Sequence, residues 1–239
     1  MFEQNIKKYL CLLDNSIRNK GESMSLFLGK IHFWLFDKIR CFENLETDIL
    51  KFADKKGVSI DINKMYDEFG YPTEDKPLEE QIDTSNIHGW LQNQIQKAEY
   101  RQAYLVKSII DLDSSHINEL KEVFKAHGNK IGTPLKSDNL TPKDAYETLN
   151  NFLLEGMPCD RTTEFIANDD SKISFHYTRC LHRDYWDEVG ISIKYFYILR
   201  NEWIKSFINT LDESLIFEVK LNNEDYENIE ENIFSIVKI

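Results

Sequence analysis

The stretch ISFHYTRCLHRDYWDEVG, residues 173–190, brings together one thiol, two imidazoles, two guanidinium groups, two tyrosines, a tryptophan and three carboxylates. A thiol flanked by cations is a candidate nucleophile, because the thiolate is the reactive form and nearby positive charge stabilises it. Cys180 has Arg179 before it, His182 two residues on and Arg183 after that. His182 is therefore the candidate acid/base, and Arg179 the candidate grip for a carboxylate substrate. Tyr177, Trp186, Arg200 and Cys159 are the candidates for contacting that substrate. Each has a bland alternative: Cys180 as a small core hydrophobe, Tyr177 and Trp186 as packing aromatics, Cys159 as an incidental loop thiol. Arg200, a charge within an apolar helix, needs a carboxylate partner or an anionic ligand if it is buried. Cys180 and His182 could also supply two metal ligands, with Cys159, His176 or a carboxylate completing the set. The chain has no HExxH, paired CxxC or Gly-rich phosphate loop, so no metal and no cofactor is expected.

The elements that must hold these residues follow from hydrophobic period. Ile173, Phe175 and Tyr177 alternate with Ser174, His176 and Thr178, which predicts a strand that hands residues 179–182 to a helix from about Tyr185. Residues 162–167 and the turn Asn168-Asp169-Asp170-Ser171 complete a hairpin, and 215–221 alternates as a third antiparallel strand. Residues 227–239 fit helix or strand equally. Helical spacing of apolar residues covers 2–19, 25–42, 45–55, 87–111, 116–127 and 192–211, with Gly128 closing the fifth of these. Asp61 starts a short helix ending near Phe69, and Thr141-Pro142 starts another that leads to Leu154. GYPTEDKP marks an irregular stretch, so the chain divides into a helical region, 1–85, and an α+β domain, 86–239. The expected class is α+β, mostly helical, with a small C-terminal antiparallel sheet packed against helices. Residues 25–42 are apolar around most of the helix circumference, which suits a buried element or a homodimer contact; His32 and Cys41 on it are expected in the core.

Composition narrows the function classes. Of 239 residues, 41% are hydrophobic, enough for a sizeable core without staples. A net charge of -12, from 41 acidic against 29 basic residues, repels a phosphate backbone, so no nucleic-acid partner is expected. Charges at Lys30, Asp37, Lys38 and Arg40 cut the most apolar run short of a membrane span. Cys11, Cys41, Cys159 and Cys180 are scattered and the N-terminus lacks a signal-like pattern, which points to a soluble cytoplasmic protein with free thiols.

From about residue 98 to 217 the chain resembles the L-2-amino-thiazoline-4-carboxylic acid hydrolase family. The resemblance is carried by AEYRQAYLVKSIID, INELKEVFKAHGNKIG, FHYTRCLHRDYWDEVG and LIFEVKL, and its specific part is TRC followed by an aromatic and EVG. It covers about half of the chain, and residues 1–85 have no counterpart in it. It implies helices packed on an antiparallel sheet, and hydrolysis of a cyclic C–N or C–S linkage in a small amino-acid-derived heterocycle, with Cys180 at the family's cysteine and Arg179 at the polar residue before it. The expected function is thus hydrolysis of a thiazoline carboxylate or similar small molecule by a Cys/His site. The alternative is a non-catalytic small-ligand or metal-binding sensor that dimerises through its helices.

Overall fold

The computed structural model describes residues 28–222 and 226–239. The helix expected over 2–19, Cys11 and the first residues of the 25–42 helix lie outside them. The described residues form an α+β fold, mostly helical, with a small four-stranded antiparallel sheet near the C-terminus. The helices are α1 (Lys30–Lys55), α2 (Ile62–Phe69), α3 (Ile87–Leu112), α4 (His116–Gly132), α5 (Pro142–Leu149), α6 (Arg183–Val189) and α7 (Lys194–Leu211). The strands are β1 (Thr163–Asn168), β2 (Lys172–Tyr177), β3 (Leu215–Lys220) and β4 (Ile233–Lys238).

Local chemistry sets most boundaries. The side chain of Asp61 accepts a hydrogen bond from the Lys64 amide, Asn86 from Gly89, and Thr141 from Asp144, with Pro142 at the first helical position of α5. Gly190 ends α6 in the left-handed conformation. Several expectations are corrected, among them the helix from Pro142, which ends at Leu149 rather than at Leu154. Residues 25–42 and 45–55 do not form two helices: α1 runs unbroken through Phe42-Glu43-Asn44-Leu45, where no glycine or proline interrupts it and Glu43 and Glu46 are both used in one buried ion cluster. His32 is not in the core; its Nδ1 accepts from the Gly29 amide and so caps α1. Gly128 does not close α4, which continues to Gly132. A Cβ on Gly128 would come within 2.5 Å of the Trp203 carbonyl oxygen, so this glycine serves the close crossing of α4 and α7 rather than a cap.

The sheet order is β1-β2-β4-β3. The ambiguous C-terminal stretch is β4, a central strand inserted between β2 and β3. Phe234 of β4 stacks between Phe175 and Phe217, at 5.7 and 6.1 Å between ring centroids. The side of the sheet carrying these rings meets α5 and α7, and the resulting core extends from Cys41 to Ile236. A second apolar cluster joins Leu35, Phe36 and Ile39 of α1 to Leu78, Ile82, Leu91, Ile95 and Leu154. No helix among the described residues is long and apolar enough to cross a membrane.

Candidate functional site

β2 ends at Tyr177, and residues 178–182 cross to α6 without regular structure. The Thr178 amide donates to the Thr162 carbonyl at 2.7 Å, and the Cys180 amide donates to Glu230 at 2.9 Å. The loop is therefore held at both ends, and it drives His182 inward to 1% exposure. The strand does not persist far enough for alternation to decide where Cys180 and His182 point; the loop and its anchors decide it.

Inside, His182 Nδ1 lies 2.7 Å from a carboxylate oxygen of Glu99, a buried residue of α3. Its Nε2 lies 3.3 Å from Nη1 of Arg200 on α7 and 3.5 Å from Oε2 of Glu155. Arg200 Nη2 donates to the Tyr177 hydroxyl at 2.8 Å and is paired with Glu155 Oε1, in a contact that lacks hydrogen-bond directionality. Phe196, one turn before Arg200 on α7, packs on the imidazole with ring centroids 4.1 Å apart. The Cys180 sulfur is half-buried, 3.1 Å from the Tyr197 hydroxyl. Gly156, at φ +66°, turns the chain immediately after Glu155, where a side chain would collide with Leu181 and Asp160.

Burial and charge act against each other on these groups. Burial opposes a proton on His182, but the charge and hydrogen bond of Glu99, helped by Cys180, carry its pKa above the ordinary histidine value. Burial pulls Arg200 down to about 9, with Glu99 working in the opposite sense. Lys38 of α1, over the Trp34 ring at 3.5 Å and 3.3 Å from the Asn150 side-chain oxygen, is lowered to about 7 by burial and then by the charge of Arg200. Tyr177 and Tyr197 are raised well above the usual phenol value, mainly by burial, and stay protonated as donors. His182 Nε2 faces both an obligate donor and a carboxylate: neutral, it accepts from Arg200, and protonated, it turns to Glu155.

Of the residues singled out in the sequence, Tyr177, His182 and Arg200 converge here, with Cys180 reaching them through Tyr197. Trp186 is fully buried and packs edge-on against Phe196 with its indole N–H unpartnered. Arg179 is exposed and bound to Asp160, and Cys159 is exposed in the preceding loop. Glu99 lies in the stretch AEYRQAYLVKSIID but was given no role there, and Glu155, Tyr197 and Lys38 had no motif to mark them; their one trace was a charge or hydroxyl on the apolar side of a helix or beside a glycine. No group of three or more His, Cys, Asp or Glu among the described residues could hold a metal ion. No protein family, curated protein or solved structure matches this chain.

Beside the cluster lies a cavity of about 40 Å³ lined by residues of α1, α3, α4 and α7, together with Phe152, Leu153 and Leu154. Arg200 and Phe196 form the wall it shares with the cluster. Apart from Glu155 Oε1, which is paired with Arg200, six buried side-chain atoms among the described residues have no hydrogen-bond partner, on Glu99, Gln102, His127, Trp186, Arg200 and Asn201. Every one of these residues either belongs to the cluster, lines the cavity, or adjoins Phe196 or Arg200.

Proposed function

We propose that this protein is a hydrolase-like enzyme acting on a small amino-acid-derived heterocycle, such as a thiazoline carboxylate, in a reducing cytoplasm. The observation that carries the reading is the buried His182 imidazole, held 2.7 Å from a Glu99 carboxylate oxygen on one side and 3.3 Å from the buried Arg200 guanidinium on the other. His182 acts as acid/base with Glu99 fixing its ring, the arrangement in which an imidazole can take a proton and give it back. Arg200, rather than the exposed Arg179, holds the substrate carboxylate, because a desolvated guanidinium discriminates for an anion far better than one already in water. Cys180 is the nucleophile or the thiol that positions the ring. For the hydrolysis itself, the oxygen of water bonds to the ring carbon and the ring C–N or C–S bond breaks. The proton taken by His182 ends on the departing nitrogen or sulfur.

The test is turnover of thiazoline-4-carboxylates, followed as the gain of one water by mass spectrometry. His182→Ala should lose roughly 100-fold or more in kcat, and Arg200→Lys should mainly raise KM. Full activity in both Cys180→Ala and His182→Ala, with circular dichroism unchanged, would end the assignment. A second reading, a non-catalytic small-ligand sensor dimerising through its helices, is favoured by one observation: the cavity is lined by Arg200 and Phe196 but by neither Cys180 nor His182. Ligand binding without turnover, and a dimer in native mass spectrometry, would select it.

A further inference from the structure

His182 is sealed, so a substrate can reach it only if something moves. Glu99 holds the Nδ1 edge of its ring and Phe196 covers a face, which leaves the Nε2 edge, where Arg200 and Glu155 stand. These two are carried by different kinds of backbone. Arg200 is fixed within the 18 residues of α7, whereas Glu155 begins a segment without regular structure, residues 155–161. Both flanks of that segment are anchored: Leu154 is buried in the second apolar cluster, and the buried Thr162 is bonded to Thr178 beyond the end of β2. Between the anchors Pro158, Cys159 and Arg161 are exposed. Gly156 and Arg161 both take left-handed backbone, at φ +66° and +50°, so the chain turns sharply at each end of the segment.

No backbone-to-backbone hydrogen bond joins 155–161 to the rest of the described residues. The Asp160 amide donates to the Met157 carbonyl at 2.9 Å and the Met157 amide to Asp160 Oδ2 at 2.8 Å, both inside the segment. Side chains make the outward ties: Glu155 to Arg200, Met157 to the second apolar cluster, and Asp160 Oδ1, which accepts from the exposed Arg179 at 2.8 Å. A segment tied by so few side chains opens at much lower cost than the core. Gly156 rests against Leu181, the residue before His182, so lifting this segment uncovers the Nε2 edge. A substrate carboxylate on Arg200 also needs the place that the Glu155 carboxylate fills. We propose that residues 155–161 form a strap that swings outward about Gly156 and Arg161, latched by Asp160 on Arg179, and that Glu155 is an internal carboxylate which gives up Arg200 to the substrate. This rests on the reading of Arg200 as the carboxylate grip, and it makes Arg179 a latch rather than a binding group.

Diethyl pyrocarbonate, which acylates neutral imidazoles that solvent reaches, tests it, with peptide mass mapping to read each histidine separately. At mildly alkaline pH His182 reports opening of the strap, and His127, buried and bonded to Trp203, reports opening of the core. Arg179→Ala should speed acylation of His182 about two- to fivefold, the weight of one exposed ion pair, and leave His127 unmoved. In Glu155→Ala the rate should rise further, and acetate should restore protection where the same concentration of chloride does not. Should that variant not fold, Glu155→Gln takes its place, and a His182 rate no higher than that of the unaltered protein overturns the role of Glu155. Acetate acting no better than chloride overturns it too. The strap itself is overturned by an unchanged His182 rate in Arg179→Ala, or by His182 and His127 rising together. Strap and reaction fail separately. A gated His182 without thiazoline turnover removes the reaction alone, and turnover with a His182 rate that Arg179→Ala leaves unmoved removes the strap alone.

Discussion

The Glu99 carboxylate, not singled out within the stretch AEYRQAYLVKSIID, raises the pKa of His182 against the effect of burial. The imidazole is buried, which by itself favours the neutral ring, and the adjacent carboxylate reverses that preference. A base must be neutral to take a proton, so kcat/KM should fall as pH drops through the raised His182 pKa. In Glu99→Gln the counter-charge is gone and burial acts unopposed. The acid limb of the pH–rate profile should move to lower pH, with the plateau reduced by roughly tenfold or more because the ring loses its orientation. A limb that stays in place would show that His182 is not the titrating group. Cys180 and His182 were legible in the sequence as an unusual pairing of residue types. Their depth was not: one is half-buried and the other sealed because hydrogen bonds to Thr162 and Glu230, distant in sequence, shape the loop between them.

The placement of Arg200 depends on how α7 meets its neighbours. α4 and α7 approach so closely at Gly128 and Gly132 that neither position has room for a side chain without movement: a Cβ at Gly132 would lie 3.2 Å from the Phe207 carbonyl oxygen. At Gly128 the obstacle is backbone 2.5 Å away and cannot swing aside. Gly128→Ala should therefore destabilise by about 1 to 3 kcal/mol despite the better helix propensity of alanine. Gly29→Ala, where nothing lies within 4 Å, serves as the control. Urea unfolding measures both, and an unchanged midpoint for Gly128→Ala would refute the close-approach account. Because this contact sets the height of α7 over α4, it also sets how far Trp203 stands from His127. Sequence period found both helices. It could not tell a glycine that ends a helix from one that admits a neighbour, since both look the same along one chain.

For the molecule as a whole, one buried ion cluster ties down the end of α2 and the irregular stretch that follows it, at Tyr66, Gly70 and Thr73. Arg101 of α3 is fully buried between Glu43 and Glu46 of α1, at 2.8 and 2.7 Å, and also donates to the Gly70 carbonyl. Glu43 accepts in turn from the Thr73 amide, and Glu46 from the Tyr66 hydroxyl. Removing one member leaves the others charged and dry, so Arg101→Met should cost about 3 to 5 kcal/mol in thermal or urea unfolding. Replacing all three by apolar residues of similar volume should restore most of that loss. If Arg101→Met were neutral, the cluster would have no part in holding this segment. The sequence by itself determined what is local: helical and strand periods, caps at Asp61 and Thr141, and the α+β class. Tertiary structure alone decided that α1 is one helix, that the last strand lies second from the sheet edge, and that Glu99, Glu155 and Arg200 meet around His182. The physical reason is that a period reports which face of an element is apolar. Which charges share that buried space depends on helices whose approach is fixed by side-chain volume at residues far apart in the chain.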